Sequence, residues 1–357
     1  MVSWPIIFSI LFMSERNIFK YNNDFVLESG ETISNLEIAY HTFGNANTFK
    51  SNVVWVCHAL TANSDVFDWW SGVCGEYDYF NQKEHFIICA NIIGSCYGST
   101  GPLSADDYGQ KWFEDFPHIT TRDMANAHDL LRKHLEIEKI NILIGSSLGG
   151  QQAMEWAILQ PNLFEHLILI ATNAFHSPYG IAFNESQRLA IQADPTFNLR
   201  TENGGQNGLI AARSIALISY RSYDGYLTTQ TESNNEKTDD FLASRYQRYQ
   251  GWKLSKRFNA YSYVSLSKAM DAHHVGRARE SIEKALSLIQ AKTLVIGISS
   301  DCLFPPREQE FLAEHISGAS FELIDSIFGH DGFLVENEQL IKIFDEFFVR
   351  VKLSNEI

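Results

Sequence analysis

The stretch Ile140-Asn141-Ile142-Leu143-Ile144-Gly145-Ser146-Ser147-Leu148-Gly149-Gly150 decides how the rest of the chain is read. Its first five residues form a short apolar run of the kind that makes a buried strand, and Gln151 to Gln160 reads as a helix. Between them Gly145, Ser147 and Gly149 form a Gly-x-Ser-x-Gly turn, so the order is strand, tight turn, helix: a nucleophile elbow. The glycines admit a turn that a Cβ would obstruct, and the serine hydroxyl is left at a helix N-terminus. Unpaired backbone N–H groups favour negative charge there. The five-residue pattern alone is common, and taken by itself a serine in a glycine-rich turn explains it better. Distant parts of the chain settle the choice.

Lys292-Thr293-Leu294-Val295-Ile296-Gly297-Ile298 reads as a buried strand that delivers Asp301 at its carboxyl end. Phe321 to Asp325 is a shorter strand, followed by a loop carrying Gly329-His330-Asp331. The chain order Ser147, Asp301, His330 is that of α/β hydrolases, and differs from the orders in chymotrypsin and subtilisin. A serine hydroxyl is a poor nucleophile until a base takes its proton; His330 suits that task, and Asp301 would hold the imidazole in the right tautomer. The plainer readings are a loop acid capping the helix near Arg307 to Ala313 and a structural histidine. An acyl-transfer serine also needs donors for an oxyanion. These are expected from the backbone N–H of Leu148, and from Leu60 in the loop after the strand Ser51 to Cys57, with Thr61 as its neighbour. His58, at the strand edge, reads as structural.

A family resemblance extends along nearly the whole chain. It is carried by His-Ala-Leu-Thr at 58–61, Cys-Tyr-Gly-Ser-Thr-Gly-Pro at 96–102, Gly-Ser-Ser-Leu-Gly-Gly at 145–150, Leu-Phe-Pro-Pro at 303–306 and Gly-His-Asp at 329–331. Together they resemble the homoserine O-acetyltransferases, whose relatives use homoserine or serine as acceptor and acetyl- or succinyl-CoA as donor. The resemblance implies an α/β-hydrolase core with a helical lid, and a ping-pong transfer of acetyl from acetyl-CoA through Ser147 to L-homoserine. No permanently bound cofactor or metal is implied. It also implies that Arg213 and Tyr220, on one face of a lid helix, and Asp331 hold the amino acid. Chemistry agrees, since a guanidinium suits an α-carboxylate and a carboxylate suits an α-ammonium. The plainer readings are a solvated helix arginine and a loop acid capping the helix that follows.

The chain departs from the family pattern at Ser146, Leu148, Ser95 and Ala62, which leaves the three catalytic residue types intact and bears on the shape of the acyl pocket. Tyr97 points to an acetyl donor, because family members that use succinyl donors tend to carry basic residues there. The alternatives are a serine O-acetyltransferase, a homoserine O-succinyltransferase and a small-ester hydrolase. One methylene in the acceptor is worth only about 1–3 kcal/mol of discrimination.

The chain of 357 residues is 45% hydrophobic, enough for one large core and an inserted subdomain. Its formal charge of −15 argues against nucleic acid or an anionic membrane as partner, and requires any CoA phosphate site to be a local basic patch. Cys57, Cys74, Cys89, Cys96 and Cys302 lack metal spacing and suit a reducing cytoplasm. The apolar run Trp4 to Phe12 is too short to span a membrane and lacks a basic flank, so residues 1–13 read as an extension.

The expected organisation is an α/β-hydrolase core at 14–174 and 288–357, with a mostly parallel central sheet, helices on both faces and a helical lid at 175–287. Phe25 to Glu28 and Leu36 to Phe43 read as an opening antiparallel pair. Further strands are expected at Phe86 to Asn91 and His166 to Ala171, and lid helices at Asn184 to Ala193, Gly208 to Tyr220 and Phe241 to Tyr249. Tyr246, Tyr249, Trp252 and Phe258 could form an exposed patch that pairs two lids in a homodimer. Phe67, Trp69 and Trp70 could line the pocket mouth, but large aromatics are more often core and the plainer reading is core.

Overall fold

A computed structural model describes residues 15–106 and 108–355. The apolar run Trp4 to Phe12 and the rest of the 1–13 extension lie outside the described residues.

Among the described residues ten strands form: β1 (Asn17–Tyr21), β2 (Phe25–Val26), β3 (Thr32–Ile33), β4 (Leu36–Phe43), β5 (Val53–Cys57), β6 (Phe86–Ala90), β7 (Ile140–Ser146), β8 (Phe164–Ile170), β9 (Lys292–Ile298) and β10 (Ser320–Ile324). Eight of them make one sheet in the order β1-β4-β6-β5-β7-β8-β9-β10. The six from β6 to β10 run parallel, while β4 is antiparallel to both β1 and β6. Residues alternate between two buried faces: Val53, Trp55 and Cys57 point into one apolar cluster, Val54 and Val56 into the other. Burial on both sides is why these strands read as continuous apolar runs.

The helices are α1 (Val66–Trp69), α2 (Thr121–His134), α3 (Leu148–Leu159), α4 (Pro178–Gln192), α5 (Gln206–Tyr220), α6 (Tyr223–Gln230), α7 (Leu242–Ser255), α8 (Ala260–Asp271), α9 (Ile282–Leu286), α10 (Pro306–His315) and α11 (Asn337–Asn355). Met124 and Leu131 of α2, Trp156 of α3 and Leu312 of α10 pack on one face of the sheet, and Val66 of α1 with Leu340, Phe344 and Phe347 of α11 on the other. α4 to α9 lie between β8 and β9 in sequence. Three of them, α6, α8 and α9, fall outside the helices expected from the sequence. α8 is buried nearly all round, from Ala260 to Met270, so it carries no amphipathic stripe.

The opening pair differs from expectation. β4 pairs with β1, with Phe19 opposite Ile38, whereas Phe25–Val26 folds back on Thr32–Ile33 as a separate two-stranded hairpin. The Gly30 N–H donates to Leu27 O at 2.9 Å in the turn that closes that hairpin, and β1 occupies the outer edge of β4.

A largely buried ionic network ties this hairpin to the core. Arg122 on α2 reaches Glu28 (2.5 Å) and Glu155 on α3 (2.6 Å), Arg279 meets the same Glu155 (2.7 Å), and Arg277 meets Glu28 (2.8 Å). Burial works to raise the Glu28 pKa, but the guanidinium partners and the nearby Thr120 outweigh it and hold the carboxyl below its ordinary value. Glu155 is 2% exposed, so removing it would leave Arg122 and Arg279 without that partner in low dielectric. Glu155→Ala is expected to cost about 3 kcal/mol, read as a lower urea midpoint at unchanged slope.

Candidate active site

The parallel strands place the site at their carboxyl ends, beside the point where β5 is flanked by β6 on one side and β7 on the other. Ser147 follows β7 and starts α3 with φ 55° and ψ −126°. A non-glycine residue held there stores roughly 1–3 kcal/mol of strain. Three hydrogen bonds hold it: Ser147 N–H to Ile170 O (3.0 Å), Gln151 N–H to Ser147 O (3.2 Å) and Thr172 Oγ1 to Ser147 O (2.9 Å). The glycines are required by space. A Cβ on Gly149 would lie 2.0 Å from the Cys57 carbonyl oxygen, and one on Gly145 would lie 2.2 Å from Gly149 O.

His330 sits in a 3-10 turn after β10, and its Nδ1–H donates to Asp301 Oδ2 at 2.6 Å. The other oxygen of Asp301 accepts from the N–H groups of Leu303 (2.8 Å) and Phe304 (2.9 Å). The aspartate thus organises its own loop and orients His330 as well. Both side chains are buried, with the imidazole stacked on Phe304 at 4.9 Å. Burial opposes the imidazolium, but the charge and hydrogen bond of Asp301, with Asp331 adding, overcome it and the His330 pKa lies above its ordinary value.

Ser147 and His330 line one cavity of about 470 Å³ together with Leu60, Arg213, Tyr220 and Asp331. The Ala62 N–H to Ala59 O bond (3.0 Å) closes a turn with Leu60 and Thr61 at its centre. Central N–H groups of such a turn are not used by it, so both remain available to a ligand. The N–H of Leu148 opens α3, where a helix leaves its first donors unpaired. Arg213 and Tyr220 share a face of α5, with the guanidinium 5.2 Å from the ring centroid. Burial raises the Tyr220 pKa, against the opposing charge of Arg213. His58 is fully buried: its Nδ1–H donates to Ala59 O (2.8 Å) and its Nε2 accepts from Ile92 N–H (3.1 Å). Burial pushes its pKa down to about 4, so the ring is a neutral strut between two loops.

Three sets of contacts around the site were not expected from the sequence. Arg221, immediately after Tyr220, pairs with Asp331 (Nε to Oδ2, 3.1 Å), in a side-on geometry that leaves Nε without a hydrogen bond. Arg257 donates to Thr61 O and to the Tyr97 hydroxyl, both at 2.5 Å, which joins the α7–α8 connection to the turn that holds Leu60. Beneath the serine, Gln151 Nε2 donates to Asn173 Oδ1 and Asn173 Nδ2 to Glu308, both at 2.9 Å. Arg221 lay beside a residue already singled out; the other contacts join positions far apart in sequence. Trp69 packs against the apolar core and also lines the cavity, while Trp70 is buried with its indole N–H on Phe333 O (3.1 Å). Phe258 is buried and falls outside the expected exposed patch. Among the described residues no group of three or more His, Cys, Asp or Glu could hold a metal, and no helix is long and apolar enough to cross a membrane.

A parallel sheet with an elbow serine and a histidine–aspartate pair at its carboxyl edge defines an α/β hydrolase, and residues 52–337 match the family of the alpha/beta hydrolase fold. A homoserine O-acetyltransferase of Cyclobacterium marinum is 47% identical over 94% of this chain and 95% of its own length. The solved homoserine O-acetyltransferase of Staphylococcus aureus superposes with a TM-score of 0.77 at 29% identity, covering 92% of this chain and 95% of that one. Esterase E22 superposes with a TM-score of 0.85 at 21% identity, over 94% and 100% of the two chains, which shows the shared fold. The chain belongs to the homoserine O-acetyltransferase family.

A base must be neutral to take a proton, so if His330 is the base, acylation at Ser147 should fall as pH drops through the His330 pKa. Because that pKa is raised, the acid limb of kcat/KM for p-nitrophenyl acetate is expected above the ordinary value of about 6.5. Asp301→Asn should move that limb to lower pH and cut kcat by roughly 10³–10⁴.

Proposed function

We propose that the protein moves an acetyl group from acetyl-CoA to the hydroxyl of L-homoserine through an acyl-Ser147 intermediate, giving O-acetyl-L-homoserine for methionine biosynthesis. The observation that carries this reading is that Ser147 and His330 line one cavity with Arg213, Tyr220 and Asp331, which suit the two charges of an amino acid.

His330 takes the Ser147 proton, the hydroxyl oxygen attacks the thioester carbonyl, and the N–H groups of Leu60 and Leu148 receive the oxyanion. CoA leaves as the thiol with the proton from His330. The α-carboxylate of homoserine then meets Arg213 and its ammonium meets Asp331, beside His330. The acceptor hydroxyl gives its proton to the imidazole and attacks the acyl-serine, and Ser147 recovers the proton. Arg221 sits on Oδ2 of Asp331 and leaves the carboxylate shared between guanidinium and ammonium. The transfer calls for no metal or resident cofactor. The helices over the cavity restrict water, which would otherwise hydrolyse the acyl-enzyme.

A homodimer through the insertion is part of this proposal. Tyr223 (81% exposed), Ile218, Leu227, Tyr249 and Trp252 on α5, α6 and α7 are large apolar side chains turned outward. Light scattering should give twice the chain mass, and Trp252→Glu with Tyr223→Glu should halve it. A reducing cytoplasm suits the five free thiols, of which Cys57, Cys74 and Cys89 are buried with raised pKa values.

CoA thiol release should require homoserine and acetyl-CoA together; release with serine or with succinyl-CoA alone would move the assignment within the family, and acceptor-independent release would make the protein an esterase. Ser147→Ala should lose roughly 10⁴-fold or more of the rate and all trapped acetyl-enzyme. Arg213→Ala should raise the homoserine KM about thirtyfold, a loss of about 2 kcal/mol, with little change in acylation. Unchanged acceptor dependence in that variant would place the carboxylate elsewhere.

A further inference from the structure

A chain with a net charge of −15 presents a local excess of positive charge at one place beside the catalytic cavity. Lys253, Lys256 and Arg257 cluster at the C-terminal end of α7, all three exposed, and none forms an ion pair with a carboxylate among the described residues. Lys253 and Arg257 line the catalytic cavity. Lys256 and Arg257 line an adjoining cavity of about 340 Å³, so Arg257 is a wall shared by the two. The charged residues lining both spaces are the cations Arg213, Lys253, Lys256 and Arg257 and the carboxylates Asp68, Asp331 and Glu202. Of those carboxylates, Asp331 is paired with Arg221 and Glu202 with Lys111.

The negative end of a helix dipole favours cations in its last turn, which accounts for basic residues at this position. It does not account for two of them facing the cavity that holds Ser147. Arg257 is committed to Thr61 O and the Tyr97 hydroxyl, and Lys256 lies over the Trp252 ring at 5.3 Å. Neither ammonium group forms an ion pair among the described residues, although Asp68 lines the same cavity as Lys253, and the anchored guanidinium of Arg257 lines the cavities of both lysines.

We propose that Lys253 and Lys256, flanking Arg257, form an anion site at the mouth of the catalytic cavity that takes the phosphate-bearing end of the acyl donor. Its acyl end reaches Ser147 past the shared wall. This assignment rests on the reading of acetyl-CoA as donor. The site is electrostatic and lies outside the reacting centre, so it contributes binding of the donor and not the chemistry of transfer.

The test uses the full-length protein with the double substitution Lys253→Glu and Lys256→Glu, and two donors: acetyl-CoA and the uncharged thioester S-acetyl-N-acetylcysteamine. The variant should raise the KM for acetyl-CoA by about tenfold or more, leave kcat within about twofold, and leave kcat/KM for the uncharged thioester unchanged. Rising salt should depress the wild-type kcat/KM for acetyl-CoA and have less effect on the variant. An equal loss with both donors would make the lysines structural, and no loss with acetyl-CoA would place the phosphates elsewhere; either result overturns the site. Failure of the donor reading shows in the wild type alone, as no preference for acetyl-CoA over the uncharged thioester, and the site proposal falls with it. A preserved preference in the variant overturns the site and leaves the donor standing.

Discussion

The close approach of the β7–α3 elbow to the end of β5 is the constraint on which the site depends. The backbone of Gly149 lies so near the Cys57 carbonyl that no side chain fits between them. That contact sets the entry angle of α3, and Ser147 is held in its left-handed conformation by Ile170, Gln151 and Thr172. The strain is modest beside the burial of α3 along its whole length, from Leu148 to Ile158, under the sheet. Two small residues therefore let a large apolar helix aim a single hydroxyl.

Polar groups around this elbow are disposed by the same economy of space. Below Ser147, Gln151, Asn173 and Glu308 form a chain of hydrogen bonds, and Gln309 Nε2 donates to Thr172 O at 2.6 Å. Each ties the nucleophile segment to α10, whose loop carries Asp301. Neutral buried histidines serve as struts in the same region. His273 bridges Thr121 (2.9 Å) and Asn173 O (3.0 Å), and burial pushes its pKa down to about 3. Among these rings His330 is the exception, because Asp301 offsets the desolvation that keeps the others uncharged.

The inserted helices meet the core at two charged contacts with different consequences. Arg221 follows the last turn of α5 and fixes Asp331 beside His330, so the residue proposed for the ammonium is set by the insertion. Arg257 grips the carbonyl of Thr61 and so reaches the turn that presents the Leu60 N–H. A movement of the insertion would alter both the Arg221–Asp331 pair and the turn that presents Leu60. Coupling of that kind suits a transferase, which must assemble its site only when water is kept out.

The strand–elbow–helix, the triad order and the β7–β9 strands were legible in the sequence, because each rests on local patterning: an apolar run ending in a glycine turn or a loop acid. Arg213 and Tyr220 were singled out by the family resemblance, and their spacing then put them on one helix face. The pairing of β4 with β1 was not, since both Asn17–Tyr21 and Phe25–Val26 are short, and only the tertiary fold decides which reaches the sheet edge. Nor was α8, whose uniform burial erases the helical period. The pairing of Arg221 with Asp331 and the grip of Arg257 on Thr61 join residues 110 and 196 positions apart. Local sequence carries the periodicity and turn chemistry of each element; which charges meet is decided by how the elements pack.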